Sequence, residues 1–444
     1  MSTDQSKPLH TTRRQFVKQS TLLAGGVLAA PMLSRADFFS GADDTIKVAL
    51  IGCGGRGTGA ALQALSTKQN VKLVAMADAF RDRIDRSYKT LTSDDHGSKI
   101  KERIDVPEER KFTGFDAYLK AIPLADVVIL ATPPGFRPIH FEEAVRLNKH
   151  VFMEKPVATD PAGVKKVLDA AEQAKQKKLN VVVGLQRHYQ NSYRELYKRK
   201  DLIGDIVSAQ AWWNNDGVWV NKRKEGQTEM EYQMRNWYYF VWLCGDHICE
   251  QHIHNIDVIN WFKGGYPVKA QGMGGRQVRN GKDHGEIFDH HYVEFHYADG
   301  SVLNSQCRHI PGTMSKVDEL LVGTKGKIFA GAANIVDHKG KVLYQFDRKT
   351  ENNPYQTEHD ELFEAIAKGE YKFADAENGA KSTMTSILGR MATYSGQIVE
   401  WDKALNSGIS LQPEKYDFNA PPPVLPDANG NYPIPVPGKT RYSF

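Results

Sequence analysis

The run Gly52-Cys53-Gly54-Gly55-Arg56-Gly57 follows a short β-branched and apolar stretch, 46–51 (IKVALI), and opens an alanine-rich segment of helical character. A strand that hands over to a helix through a tight turn puts three glycines at this spacing to use. The first permits the turn, the second lets backbone N–H groups approach a pyrophosphate, and the third lets helix pack on strand. Gly-x-Gly-x-x-Gly alone is a weak signal, so its context decides. Further apolar runs occur at 71–77, ending in Asp78; at 126–131, ending in Thr132-Pro133-Pro134; and at 150–153, ending in Glu154-Lys155-Pro156. A helix-like stretch around 140–147 precedes the last of these, and another at about 161–177 leads to a strand at 180–184. Strand and helix patterns alternating in this way predict a parallel sheet with crossover helices.

The expectation is an α/β chain whose residues 45–180 form a dinucleotide-binding Rossmann domain, with Gly52, Gly54, Gly55, Arg56 and Gly57 at the phosphates. Asp78 stands at the end of the second strand, where a carboxylate accepts hydrogen bonds from ribose hydroxyls and repels a 2′-phosphate. NAD is therefore favoured over NADP, a preference that the nearby Arg81 and Arg83 soften. The plain alternative, a structural turn beside a surface Asp, fits the strand–turn–helix context less well. The second half reads differently. Alternating segments at 206–213, 268–278, 290–297, 301–309 and 317–323, separated by turns such as Asp299-Gly300 and Lys325-Gly326, predict a large open, mostly antiparallel sheet. Helices are expected near 357–368 and 376–398. Residues 181–419 are read as a domain for substrate binding and oligomerisation, and 420–444 as a proline-rich extended tail.

With these segments in place, the chain resembles the glucose–fructose oxidoreductase, inositol dehydrogenase and rhizopine-catabolism (Gfo/Idh/MocA) family. The resemblance rests on the glycine turn, the acid after the second strand, ATPP with His140 downstream, and VFMEKP, and it covers roughly residues 45–400. It implies that Thr132, Pro133, Glu154 and Lys155 lie at the cofactor, and that Lys155 is catalytic beside the nicotinamide. A partly desolvated ammonium there can hydrogen-bond the substrate oxygen and stabilise developing negative charge. An isolated Glu-Lys-Pro would be read as a solvated turn.

Residues 237–262 contain no Lys or Arg and are dense in aromatics, which an exposed helix face seldom is. If Asp246 onward is helical, His247, Glu250, His254 and Asp257 share one stripe. The family pattern carries an Asp and a His four apart, facing the nicotinamide; Glu250 and His254 match those positions, with Glu replacing Asp. The resulting assignment is His254 as general acid/base, Glu250 as the group that orients it, and Lys155 as electrostatic partner, with Asp257 binding substrate or capping the network. No HExxH or Cys/His spacing is present, so no metal is expected. Arg187 and Tyr189, with Trp213 and Asn215, are candidate sugar contacts, since aromatic faces stack on pyranose C–H faces and polar groups pair with hydroxyls. Packing in the core is an equally good account of each.

Thr12-Arg13-Arg14-Gln15-Phe16-Val17-Lys18, followed by a moderately apolar stretch at 21–33 and then Ser34-Arg35-Ala36, resembles a twin-arginine export signal cleaved near Ala36. The stretch is too short to span a bilayer, and the expected location is the periplasm, reached through the twin-arginine machinery. Residues 1–36 carry five basic side chains against Asp4, so they hold +4 of the net +5 charge. The near-neutral remainder gives no electrostatic case for nucleic acid or an anionic membrane. An exported enzyme meets no dependable pool of free dinucleotide, so the cofactor is expected to be tightly held and recycled in place. The reading that follows is hydride transfer between a sugar or glycoside hydroxyl and bound NAD(H), in a possible homo-oligomer. Its rivals are a redox-neutral glycosidase that oxidises C3, eliminates and re-reduces, and a non-catalytic carbohydrate-binding protein. The last would have little reason to keep both Lys155 and His254.

Overall fold

The computed structural model describes residues 45–442; the expected export signal lies outside them. Six parallel strands form the first sheet: β1 (Ile46–Ile51), β2 (Val71–Asp78), β3 (Lys111–Thr113), β4 (Val127–Leu130), β5 (His150–Met153) and β6 (Val181–Val183). Their order, β3-β2-β1-β4-β5-β6, reverses direction between β1 and β4. In doubly wound sheets that reversal opens a crevice at the carboxyl ends of the strands. The strands are apolar on both faces because helices cover both, among them α1 (Gly55–Leu65), α2 (Arg137–Arg146) and α3 (Pro161–Gln176). Asp160 starts α3 by accepting from the Gly163 N–H at 2.7 Å, with Pro161 in the first turn.

The second sheet has nine strands: β7 (Ile206–Asn215), β8 (Lys269–Gly275), β9 (His290–His296), β10 (Val302–His309), β11 (Lys316–Gly323), β12 (Gly326–Phe329), β13 (Asn334–Asp337), β14 (Val342–Gln345) and β15 (Val399–Glu400). Their order is β14-β13-β12-β11-β7-β10-β9-β8-β15, antiparallel at every pairing except β10 with β7. Alternation along these strands buries one face and leaves the other part-exposed, as the sequence pattern requires.

Four helices tie the sheets together: α4 (His247–Glu250), α5 (Ile253–Lys263), α6 (Pro354–Ala367) and α7 (Ala376–Ser395). Nearly all of α7 is buried, and it packs on both α3 and β8. The chain also returns to the first sheet late: Leu362, Phe363 and Ile366 of α6 join a core with Ile46, Val48 and Leu50. Burying each such side chain stabilises by roughly 1.5–3 kcal/mol, so the two sheets fold against shared walls rather than as separate bodies. Residues 420–442 carry no helix or strand and lie along the surface, with Tyr432 buried against Phe240. The four cysteines are all free and buried.

Candidate active site

The glycine turn is built as its spacing predicts. Gly52 has φ +96°, and a Cβ there would lie 2.5 Å from the carbonyl carbon of Ala131, just past β4. A Cβ on Gly57 would lie 1.9 Å from the Gly52 carbonyl oxygen, so this glycine lets α1 seat against β1. Gly54 and Gly55 are the opposite case: a Cβ on either meets nothing within 4 Å. Open space above bare backbone N–H groups at a helix N-terminus is the cradle a pyrophosphate fills, so these residues fit a dinucleotide.

The turn forms one wall of a cavity of about 520 Å³, which Gly52, Gly54, Gly55, Arg56, Asp78, Thr132 and Pro133 all line. Asp78 accepts from the backbone N–H of Cys53 at 2.7 Å and of Phe80 at 2.9 Å. Burial nonetheless holds its carboxyl above the ordinary value. Spare lone pairs remain for ribose hydroxyls. The opposite wall comes from outside the first sheet, from Trp219, Asn221, Met234 and Trp237. Arg235 clips this wall shut, donating to both carboxylate oxygens of Asp82 at 2.9 and 3.1 Å and stacking over Phe80 at 3.9 Å. The chain end adds Tyr416 and Phe418, whose rings lie against Phe115, Phe136 and Phe80. No sequence motif marked these roof residues.

Arg56 connects the cavity to the proposed chemical centre. Its guanidinium pairs with Glu154 and, at 3.0 Å, with Glu358, and donates to Gln63 at 2.8 Å. Gly184 on the neighbouring loop leaves the room that the Glu154 carboxylate occupies, since a Cβ there would lie 2.9 Å from both its oxygens. Lys155, joined to Pro156 by a cis peptide bond, reaches across to α4. Its Nζ donates to the Glu250 carbonyl at 2.5 Å and to Glu250 Oε1 at 3.1 Å. Arg137, which sequence reasoning missed, is fully buried and donates to the carbonyls of Thr132 and Pro156, tying the ends of β4 and β5 together. Its partners are backbone atoms, which leave no trace in a sequence.

His254 belongs to the same cluster. Burial first, then the positive charges of Lys155, Arg187 and Arg56, hold its imidazole well below the ordinary histidine value. Its Nδ1 has no hydrogen-bond partner among the described residues, and its ring stacks at 27° on Trp213, centroids 6.0 Å apart. Glu250 is not its orienter, contrary to the sequence expectation: one carboxylate oxygen takes Lys155 and the other has no partner among the described residues. The reason is a break. Helix α4 ends at Glu250 and α5 begins at Ile253, so the stripe drawn from His247 to Asp257 is not continuous. His252 turns into the second sheet, within 2.7 Å of Ser305 Oγ.

Asp257 neither binds substrate nor caps the cluster. It is 1% exposed, and its oxygens are taken by His188 Nε2 at 2.7 Å, Ser382 Oγ at 2.7 Å and Asn378 Nδ2 at 3.0 Å. Tyr189 is likewise a packing residue, its hydroxyl donated to Asp375 at 2.7 Å and its ring against Phe373. Arg187 is near enough to act electrostatically on His254 but is clamped to the buried Glu319. Asn215, at the end of β7, accepts from the Gly217 N–H at 2.9 Å and keeps its amide donors free for other partners.

Residues 46–184 match the model of the oxidoreductase family with an NAD-binding Rossmann fold, GFO_IDH_MocA. An inositol 2-dehydrogenase from Gluconacetobacter diazotrophicus is 30% identical over 155 residues, 34% of this chain and 40% of the relative. A 2,7-anhydro-N-acetylneuraminate hydratase from Escherichia coli K12 is 24% identical over 210 residues, 46% of this chain and 51% of the relative. The chain thus spans about half the length of the curated relatives it matches. Among solved structures, a scyllo-inositol dehydrogenase from Lactobacillus casei, with NAD(H) and scyllo-inositol bound, superposes with a TM-score of 0.60 at 18% identity. That likeness covers 81% of this chain and 100% of the other, and at such identity it speaks for the two-sheet fold alone. Over residues 46–184 the chain matches the Gfo/Idh/MocA oxidoreductase family, and its first sheet is that family's NAD-binding Rossmann domain.

Proposed function

We propose that this chain transfers hydride reversibly between a secondary hydroxyl of a sugar or glycoside and a tightly held NAD(H). The observation that carries the reading is the gathering of Lys155, Glu250 and the neutral His254 into one buried cluster, joined through Glu154 and Arg56 to the glycine turn. When bound, the dinucleotide supplies the hydride acceptor and donor. Gly54, Gly55 and the start of α1 hold its phosphates, and Asp78 its ribose hydroxyls, with NAD preferred to NADP. Lys155 Nζ donates to the substrate oxygen and steadies the charge that develops as the O–H proton leaves. His254 takes that proton on an imidazole whose Nδ1 has no partner among the described residues. Glu250 positions Lys155. Trp213 offers an apolar face beside the reacting carbon, and Asn215 its amide donors to a hydroxyl. Relatives named for inositol support a polyol or sugar as the substrate class.

Retention of the cofactor is supported by the roof of Trp219, Asn221, Met234 and Trp237 and by the Arg235–Asp82 clip, which must open before a dinucleotide leaves. Retention also suits the proposed twin-arginine export to the periplasm, which carries proteins already folded. The part-exposed face of the second sheet is the surface for a homo-oligomer. The test is to purify the protein, release any dinucleotide by denaturation and quantify it, and challenge the native protein with glycosides and polyols without added cofactor. A bound reduced-nicotinamide signal without bond cleavage is the expected result. Released aglycone would instead assign the redox-neutral glycosidase. Silence on both counts would overturn the proposal in favour of a carbohydrate-binding protein.

A further inference from the structure

The segment just before Glu250 holds polar groups that hydride transfer does not use. Asp246 and His247, at the start of α4, meet His291 of β9, and all three side chains are completely buried. One donor atom from each lies within 4.8 Å of the others. His309 of β10 stacks on the His247 ring, centroids 4.4 Å apart. Among the described residues, both ring nitrogens of His247, Nε2 of His291 and Nε2 of His309 have no hydrogen-bond partner. Four orphaned imidazole nitrogens in one buried spot far exceed what native interiors tolerate.

The tautomer of His291 sharpens the point. Thr393 Oγ1 donates to the Arg390 carbonyl at 3.0 Å, so it accepts from His291 Nδ1 at 2.9 Å. A neutral His291 then carries no proton on Nε2, which lies 3.3 Å from Asp246 Oδ2 without hydrogen-bond alignment. Asp246 Oδ2 already accepts from the Phe288 N–H at 3.0 Å and the Tyr394 hydroxyl at 2.5 Å. His247 Nδ1 lies 2.8 Å from Oδ1, again without hydrogen-bond alignment. Imidazole nitrogens this close to a carboxylate, with no hydrogen bond between them, are satisfied together by a cation that binds both. The backbone of Asp246 is held at φ +74°, a conformation that a non-glycine residue adopts at a cost.

We propose that Asp246, His247 and His291 form a binding site for a divalent transition-metal ion of the zinc type, with His309 offering a further nitrogen. Imidazole nitrogen and carboxylate oxygen are the ligands such ions prefer, at about 2.0–2.2 Å, so the set has to close by roughly an ångström around the ion. The site is sealed from solvent, which fits a structural ion rather than one that binds substrate. Its role is to pin the start of α4, and with it Glu250, to strands β9 and β10. Histidine spacing along the chain gives no metal motif because the second sheet supplies the partners. The inference stands apart from the proposed reaction.

The experiment uses the untagged full-length protein, expressed in medium supplemented with zinc. Elemental analysis is expected to give about one equivalent of divalent metal per chain, falling below roughly a tenth in His291→Gln and His247→Gln. The metal-stripped wild type should regain thermal stability on adding Zn2+, and with Co2+ should develop visible ligand-field bands. The cobalt measurement keeps the test open should the variants not fold. Metal content unchanged in both folded variants, or a stripped wild type that answers neither Zn2+ nor Co2+, would overturn the site. Neither result bears on whether the purified protein carries a dinucleotide, so this proposal and the catalytic one fail independently.

Discussion

Replacing Lys155 by methionine removes the cation from a carboxylate with little water to fall back on. Lys155 Nζ lies 3.1 Å from Glu250 Oε1, and the two side chains are 10% and 11% exposed. At this separation an effective dielectric constant of about 20 gives an attraction of about 5 kcal/mol. Breaking such a pair by deleting one partner commonly costs about 3–5 kcal/mol, because the other charge stays behind uncompensated. Burial already raises the Glu250 carboxyl above its ordinary value, and Lys155 pulls it down. Without Lys155 the carboxyl rises further. The sign of the pH dependence follows from that. A carboxyl raised on folding costs nothing while it is protonated in both states. As pH climbs past the unfolded value, stability falls by about 1.4 kcal/mol per pH unit until the folded value is passed. Lys155→Met should therefore approach wild type near about pH 4.5 and drop progressively behind it towards about pH 8. Urea unfolding midpoints at both ends of that range, for wild type, K155M, E250Q and the double variant, read the effect directly. The double-mutant cycle should return a coupling of at least about 1 kcal/mol at the higher pH. An equal loss at both pH values, or a coupling under about 0.5 kcal/mol, would refute the claim that these charges support each other.

Three further outcomes test other parts of the site. His254→Ala should lower kcat by about 10²–10⁴-fold with cofactor content unchanged. Because burial and three neighbouring cations keep His254 neutral, the wild-type rate should show no acidic limb near about pH 6.5 from this residue, and a limb there that vanishes in H254A would contradict the assignment. Gly57→Ala should lose bound dinucleotide and stability together, since its Cβ meets the Gly52 carbonyl at 1.9 Å, whereas Gly54→Ala, with nothing within 4 Å, should fold normally and weaken the cofactor alone. Thermal melts of the dinucleotide-free proteins separate the two. Arg235→Ala should change the melting temperature by only a few degrees while speeding dinucleotide release, measured by chase with excess labelled NAD; unchanged release would show that the roof does not gate the cleft.

The first sheet was legible because its signals are local. Strand ends, glycine spacing and Asp78 each depend on near neighbours in the chain, and the structure has β1, β2, β4 and β5 within a residue or two of the apolar runs. The second sheet was legible as alternation, though the short strands β12 to β14 escaped, being four residues each and flanked by polar turns. The roof of the cleft was not legible. Trp219, Asn221 and Trp237 reach the first sheet through Arg235 meeting Asp82, a pairing 153 residues apart in sequence. The histidine stripe failed for a related reason. No proline or glycine lies between Glu250 and Ile253 to announce the break; Ser305, which meets His252, stands 53 residues further along the chain on β10.

The break changes what the two acids of that segment do. On one continuous helix, Glu250 and Asp257 would both have faced the cleft. Instead Asp257 is spent on His188, Asn378 and Ser382, fastening α5 to the chain leaving β6 and to α7, while Glu250 is released to meet Lys155. A row of alternating acidic and basic side chains then runs from Glu358, whose carboxyl burial holds well above the ordinary value, through Arg56 and Glu154 to the adjacent Lys155 and Glu250. Each member neutralises its neighbours in a medium too dry to do so by itself, so the cost of removing one depends on which others remain. The glycine turn at one end and His254 at the other are thereby held in one electrostatic frame, although the side chains involved come from four separate stretches of the chain.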